Sequence, residues 1–470
     1  MISNKPSQTK ISSVASAIAL SCLFSVSPMS QAANNEQILS FNSAVTTAQK
    51  NDPWLTGNKH LQQAVEAMSH AAASMPDPKM SIGLANLPTD GFDFYQEGMT
   101  QLKVGITQMF PRGDSLAIKN QQLRIESEAY PFQRADRKAK IAVTVGTLWL
   151  DAFRVQQSIS LIEKNRSLFE QLADVAQASY SSALGKTSQQ DIVRAQLELT
   201  RLDDRLDILA QQKNAYLGML AQWLSTAFTT SANSQQDAIS AISQLHNIQL
   251  AQQLPQLDLL NNKLVYGKTW LSVEVLAKHF ANHPAVFALD KKISASKTGI
   301  HLAEQQYQPE WGVNASYGYR GNDPMGNSRS DFLSVGITFD LPLFTENRQD
   351  MVVKSAISKT EAVKTEKILL LRQLLGAFSS AKGRLLRLEE RKILYQTRLL
   401  PQVEDQAEAS LTAYTNDYGD FAEVVRSRIA VLNAKIDDLG IQVAEQKLIL
   451  ELNYLFVGSL STANNIAGEQ

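Results

Sequence analysis

The sequence predicts a mainly helical chain with a small membrane β part, the whole written twice in tandem. Three observations lead there. The tetrapeptide Val-Gly-Ile-Thr stands at Val104 and again at Val335, 231 positions on, each time in a strand-like run that stops at a proline. Two later stretches keep apolar residues at alternating four- and three-residue spacing over about four heptads, the spacing of packed long helices. Glycine is 22 of 470 residues, below the usual ~7%, and proline only 14, which favours long elements over turns.

The chain opens on what reads as an export signal. Lys5 and Lys10 give a positive start, Ile11–Val26 an apolar run, and Ser30–Ala32 small residues for cleavage after Ala32. The only cysteine, Cys22, lies inside residues 1–32, in an "ALSC" context that makes a poor lipoprotein box. Cleavage after Ala32 would leave a chain with no thiol. No later stretch reaches ~18 unbroken apolar residues, so any membrane crossing falls to β-strands. A formal charge of −1 carries no signature of nucleic-acid binding.

The 231-residue offset also relates Asn51-Asp52-Pro53 to Asn282-His283-Pro284, Pro78 to Pro309 and Pro111 to Pro342. Three prolines and a tetrapeptide in one register read as a duplication. It divides the chain into a first repeat, 33–227, a Ser/Gln/Asn-rich connector, 228–269, a second repeat, 270–458, and a tail, 459–470.

Each repeat begins with a helix, Ile38–Ser74 or Val273–Gln306. A β-hairpin follows, over 79–109 or 311–341. Its strands alternate: Met80, Ile82 and Leu84 against Ser81, Gly83 and Ala85; Leu102, Val104 and Ile106 against Lys103, Gly105 and Thr107. Trp311, Val313, Tyr317 and Tyr319 alternate with Gly312, Asn314, Gly318 and Arg320, and Leu333, Val335 and Ile337 with Ser334, Gly336 and Thr338. Period two with one apolar and one small or polar face, over roughly 9–10 residues, fits a tilted membrane strand. Four such strands cannot close a barrel, since outer-membrane barrels start at about eight and open edges are not tolerated in lipid, so the barrel must be shared between copies.

A long α-hairpin closes each repeat, over 115–226 and 350–457. Ser115–Leu184 alone would span on the order of 105 Å as helix. Pro131 is expected to kink it or mark a boundary. On the return arms, Ile192, Ala195, Leu199, Leu202, Leu206 and Leu209 form one stripe, and Val425, Ile429, Leu432, Ile436, Leu439 and Val443 the other.

Together these features resemble the TolC-like outer-membrane efflux family, over essentially the whole mature chain. The stretches that carry the likeness include "SFNSAVTTAQKNDPWL", "LGKTSQQDIVRAQLELTRLDDRL" and "VGITFDLPLFTENRQD". The "FPRG" turn and the "GKTSQQD" tip look most like the heavy-metal, CzcC/CusC-like branch. The resemblance implies a homotrimer whose long α-helical hairpins form a periplasmic α-barrel and whose four β-strands per chain contribute to a shared 12-stranded transmembrane β-barrel. It also implies a periplasmic adaptor (membrane-fusion) protein, an inner-membrane RND-type pump, outer-membrane lipid around the strands of a Gram-negative cell, and no cofactor. The function so implied is a passive exit duct, with heavy-metal cations as cargo. Drug-efflux and type I secretion ducts share the architecture, and an exported coiled-coil structural or adhesive protein is the rival of another class.

The site residues the likeness suggests lie at the hairpin tips. Tyr414, Asp417, Asp420, Glu423 and Arg426 sit about the second turn, and Gln189, Gln190 and Asp191 about the first. A carboxylate repeated three times about an axis makes an acid ring that favours cations, and an arginine beside it would latch or neutralise it. Gly185 and Gly419 mark the turns themselves and the expected adaptor-docking ends. "GKTS" at Gly185–Ser188 is no phosphate loop, because Tyr180 stands where its first glycine belongs. His279 and His283 are spaced as helix ligands, but Pro284 biases His283 out of the helix, and no metal site is expected. No nucleophile–base set is recognisable, so no enzyme is expected.

Overall fold

A computed structural model describes residues 38–181, 188–225, 249–267, 272–416 and 418–458. The export signal, residues 228–248 of the connector, Gly185, Asp417 and the tail 459–470 lie outside the described residues.

The expected first helix is in fact three pieces. Ile38–Leu39 (β1) runs parallel to Gln249–Leu250 (β4), and the helix proper divides into Phe41–Asn51 (α1) and Pro53–Ala72 (α2). The break falls at Pro53, whose missing N–H and fixed φ suit the first turn of a new helix. Asp52 caps that helix by accepting from the Trp54 N–H at 3.3 Å, and is held by Arg137 at 2.8 Å. The second repeat breaks likewise into Val273–Phe280 (α7) and Pro284–Glu304 (α8), followed by a 3₁₀ turn, Gln305–Tyr307. There the cap is His283. Its Nδ1 accepts from the Ala285 N–H at 3.2 Å, which leaves Nε2–H to donate to the Tyr454 carbonyl at 3.1 Å. The two histidines thus part company: His279 is exposed while His283 is buried, 1% accessible.

The four long strands are Lys79–Ala85 (β2), Gln101–Phe110 (β3), Trp311–Arg320 (β5) and Phe332–Phe339 (β6). They form one antiparallel sheet in the order β2-β3-β5-β6, the two hairpins being joined by a ten-row ladder from Gln101↔Arg320 to Phe110↔Trp311. The register lines up like with like. Ile82, Val104, Tyr317 and Leu333 form one cross-strand row, and Ser81, Gly105, Ser316 and Ser334 the adjacent row on the other face.

Helices carry the rest. Ser115–Ser127 (α3) and Ala129–Ser181 (α4) are separated at Glu128, because Pro131 cannot donate to the Ser127 carbonyl four residues back. Gln189–Leu224 (α5) returns along α4. The second long hairpin is Gln349–Leu394 (α9), a π-helical turn Tyr395–Leu399, Leu400–Thr415 (α10) and the returning Phe421–Leu455 (α11). The outgoing arm of the hairpin expected over 350–457 is therefore interrupted. Pro401 removes a bond from the ladder, and the π turn absorbs the mismatch.

Side by side, the helices form a row one helix thick: α5–α4–α11–α9/α10 in one half and α2–α3–α8–α9 in the other. The four–three stripes supply its seams. Ala195, Leu202, Val425, Leu432 and Ile436 are buried in one cluster with Phe169, Leu172 and Phe421. Helix α11 is buried well beyond its own stripe, at Val424, Ala434, Leu448 and Leu452, because it has a long helix on each flank. The described part of the connector, 249–267, contains regular structure. β4 and the short helix Asn262–Tyr266 (α6) belong to a strap, 249–267, laid along one side of the row. Trp149 donates to Leu39 O at 3.0 Å, Gln446 accepts from Leu257 N at 2.9 Å and buried Lys382 donates to Leu264 O at 3.1 Å.

Burial lowers the pKa of His283, so the neutral ring is the folded form. The contribution of this cap is complete above the ordinary imidazole value of about 6.5 and is lost as pH falls through it. Replacing it by alanine removes a cap and leaves a carbonyl unpaired, a loss of about 2 kcal/mol in denaturant unfolding at pH 8. His283→Asn, which retains a capping oxygen, should flatten the pH slope between 7 and 5.

Candidate functional site

The tip of the α10–α11 hairpin is built by local hydrogen bonds. Asn416 closes α10 by donating its backbone N–H to the Thr412 carbonyl at 3.1 Å, and the Tyr418 N–H returns to Ala413 O at 2.9 Å. Gly419 then passes so close to the helix end that a Cβ there would lie 2.6 Å from the Tyr414 nitrogen and 2.9 Å from the Ala413 carbonyl carbon. Asp420 restarts the chain as the cap of α11, accepting from Ala422 N–H at 3.1 Å. Tyr414 stacks edge-on against buried Phe421 with ring centres 5.6 Å apart, so its ring is part of the tip's packing. Tyr418 is 93% exposed.

Glu423 lies in the first turn of α11, and Arg426, one turn on, pairs with it directly. Gln406 reaches the same carboxylate from α10 at 3.5 Å. Two further pairs, Arg428–Glu408 at 3.3 Å and Lys435–Glu404 at 2.8 Å, cross between the arms of this hairpin. The acid suggested for an axial ring is therefore already neutralised by the arginine three residues on. At the first tip, Gln189 and Gln190 are exposed in the opening turn of α5. Asp191 folds back instead, accepting from the Ser188 N–H at 2.9 Å and hydroxyl at 2.7 Å. Its charge serves the helix N-terminus. The two tips share one end of the helical row, since Ala195 and Phe421 fall in one buried cluster. Among the described residues no group of His, Cys, Asp or Glu is placed to hold a metal ion.

A second constellation had no signal in the sequence beyond the "FPRG" turn. Arg112, just past β3, donates to Gln308 O at 2.8 Å and pairs with Asp340, just past β6. Asp340 in turn accepts from the Glu310 N–H at 2.7 Å at the start of β5. Gly113, at φ +44°, lets the backbone pass beneath Gln305, whose Oε1 accepts from Asp114 N–H at 3.1 Å. One arginine thus fastens three of the four strand–helix transitions.

No family model matches the chain, and no curated protein is similar enough to count as a relative. Solved structures do match. The CmeC outer membrane channel of Campylobacter jejuni superposes with a TM-score of 0.69 at 13% identity, over 89% of this chain and 85% of that one. The outer membrane protein VceC of Vibrio cholerae gives 0.67 at 15% identity, over 88% and 96%. CusC, described for its transmembrane channel formation, gives 0.67 at 13%, over 88% and 91%. The chain has the fold of these outer-membrane channels. In that fold the sheet lies at one end of the helical row and the two hairpin tips at the other, with the row between them.

Gly419→Ala forces backbone apart at the tip, and we expect local destabilisation of about 1–3 kcal/mol, read as faster amide exchange over 412–424. Gly376→Ala, whose Cβ meets nothing within 4 Å, should leave that exchange unchanged.

Proposed function

We propose that the protein is the outer-membrane exit duct of a tripartite efflux system. The observation that carries this reading is the sheet. Most of its large apolar residues, from Phe110 and Leu102 at 38% to Leu333 at 76%, lie on one face and stand exposed, while the other face is mostly small or polar, Met109 and Phe332 excepted. An apolar face one membrane thick, uncovered by any described element, needs lipid. Strands β2 and β6 are both edges, and lipid does not tolerate edges, so the sheet is one part of a barrel completed by other copies. Three chains would give twelve strands and continue below them as a helical tunnel.

The tandem repeat, 33–227 and 270–458, is supported by the matching breaks at Pro53 and Pro284 and by the two hairpins in like order. On this reading the strands sit in the outer membrane of a Gram-negative cell, and the helices extend into the periplasm. The hairpin tips, with Gly185 and Gly419 at their turns, meet a periplasmic adaptor fed by an inner-membrane pump. Tyr414, Asp417, Asp420, Glu423 and Arg426 are the gate candidates, with Gln189, Gln190 and Asp191 facing them. The Glu423–Arg426 pair supports a neutralised gate rather than a bare acid ring. Heavy-metal cations are the cargo suggested by the Phe110–Gly113 turn and the first tip.

The duct reading predicts a detergent-extracted trimer that raises the conductance of a planar bilayer. Soluble oligomers that never conduct would instead fit an exported coiled-coil protein. For cargo, a deletion strain should become sensitive to copper, silver, zinc, cobalt or cadmium salts and regain resistance with the intact gene. Sensitivity to dyes and detergents alone would remove the metal branch and leave the duct.

A further inference from the structure

Three helices of the row show the strap which side to cover. On α9, Lys382 and Glu389 bond to strap residues Leu264, Gly267 and Tyr266. Gln446 and Asn453 do so from α11, and Trp149 and Gln156 reach β1 and β4 from α4. Helical periodicity puts Arg384, Arg387 and Arg391 on the opposite side of α9, Glu451 opposite and Lys447 on the flank of α11, and Val143 and Thr147 opposite on α4. These residues line one groove of about 630 Å³, running over α11 between α4 and α9. A row one helix thick that closes into a tube must carry its strap outside, because a second layer inside would fill the bore. The groove then faces the lumen.

Its chemistry is specific. The floor is apolar: Val143, Leu388, Ala444 and Leu448. The rim holds four cationic groups. Two are committed, Arg384 to Glu451 at 2.6 Å and Lys447 to Asp151 at 2.8 Å. Among the described residues Arg387 pairs only with Glu390, one turn along its own helix and exposed, at 2.7 Å, a kind of pair that holds a guanidinium weakly. Arg391 lies 5.9 Å from the Tyr395 ring centre. Arg387 and Arg391 are one turn apart with Leu388 between them, which presents two guanidinium forks beside an apolar floor. Forks of this kind grip planar or tetrahedral oxyanions.

We propose that this groove is a luminal binding site for amphiphilic anions, an apolar body with a carboxylate, sulfonate or phosphate head, with Arg387 and Arg391 taking the head group. The site rests on the duct reading and not on the metal cargo. It belongs to the middle of the tunnel, away from the acids of the tip.

The test is block of the full-length channel in a planar bilayer by 8-anilinonaphthalene-1-sulfonate, beside its uncharged analogue N-phenyl-1-naphthylamine. The sulfonate should reduce conductance saturably and the neutral compound should not. In the double variant Arg387→Gln, Arg391→Gln the half-blocking concentration should rise about tenfold or more, the unblocked conductance showing that the variant is assembled. Equal block of intact and variant channels, or equal block by both compounds, overturns the site and leaves the duct. A full-length protein that never conducts overturns the duct and the luminal placement together.

Discussion

A four-stranded sheet with both edges open and one face apolar cannot be an end state in water or in lipid. The residues of β2, β3, β5 and β6 commit the chain to that condition, because Met80, Ile82, Val104, Ile106, Leu333 and Val335 all project to one face and no described element covers them. Water opposes the face and hydrocarbon opposes the edges. On the duct reading proposed above, pairing with further copies inside a membrane removes both penalties, and the helices that hang from the sheet follow the ring its strands make.

That dependence explains where the chain concentrates its polar fastening. The transition from sheet to helices is a change of period within a few residues, and Arg112 ties three of the four transitions through Gln308, Glu310 and Asp340. Lower down, prolines set the helix starts and a polar side chain caps each one: Asp52 before Pro53, His283 before Pro284. The two caps differ in chemistry and not in task. One is an acid held by Arg137, the other a buried imidazole satisfied at both nitrogens. His283, which suggests metal chemistry by type and spacing, is thus spent on capping.

Charge is arranged by level along the row. At the tips the acids are spent locally, Asp191 and Asp420 on helix N-termini and Glu423 on Arg426. Midway, the side away from the strap carries an excess of basic groups over an apolar groove. A chain whose net formal charge is only −1 therefore still carries charge patterned by level.

What the sequence determined by itself was much of what has a local cause. Strand alternation, the apolar stripes, the break at Pro131 and the turn at Gly419 follow from side-chain period, missing amide donors and backbone crowding, each readable within a few residues. The helix breaks at Pro53 and Pro284 and the π turn before Pro401 have equally local causes, but the surrounding helical pattern masked them. Tertiary structure decided what depends on partners far along the chain. The β3–β5 register joins residues more than two hundred positions apart, the central place of α11 depends on two flanking helices, and the reach of Arg112 depends on loops that meet only once both hairpins have formed. The strap is the clearest case: its Ser/Gln/Asn-rich composition reads only as a connector, yet carbonyls and amides of 249–267 find Lys382, Gln446 and Asn453 on the finished row, and by covering one side they define which side remains open.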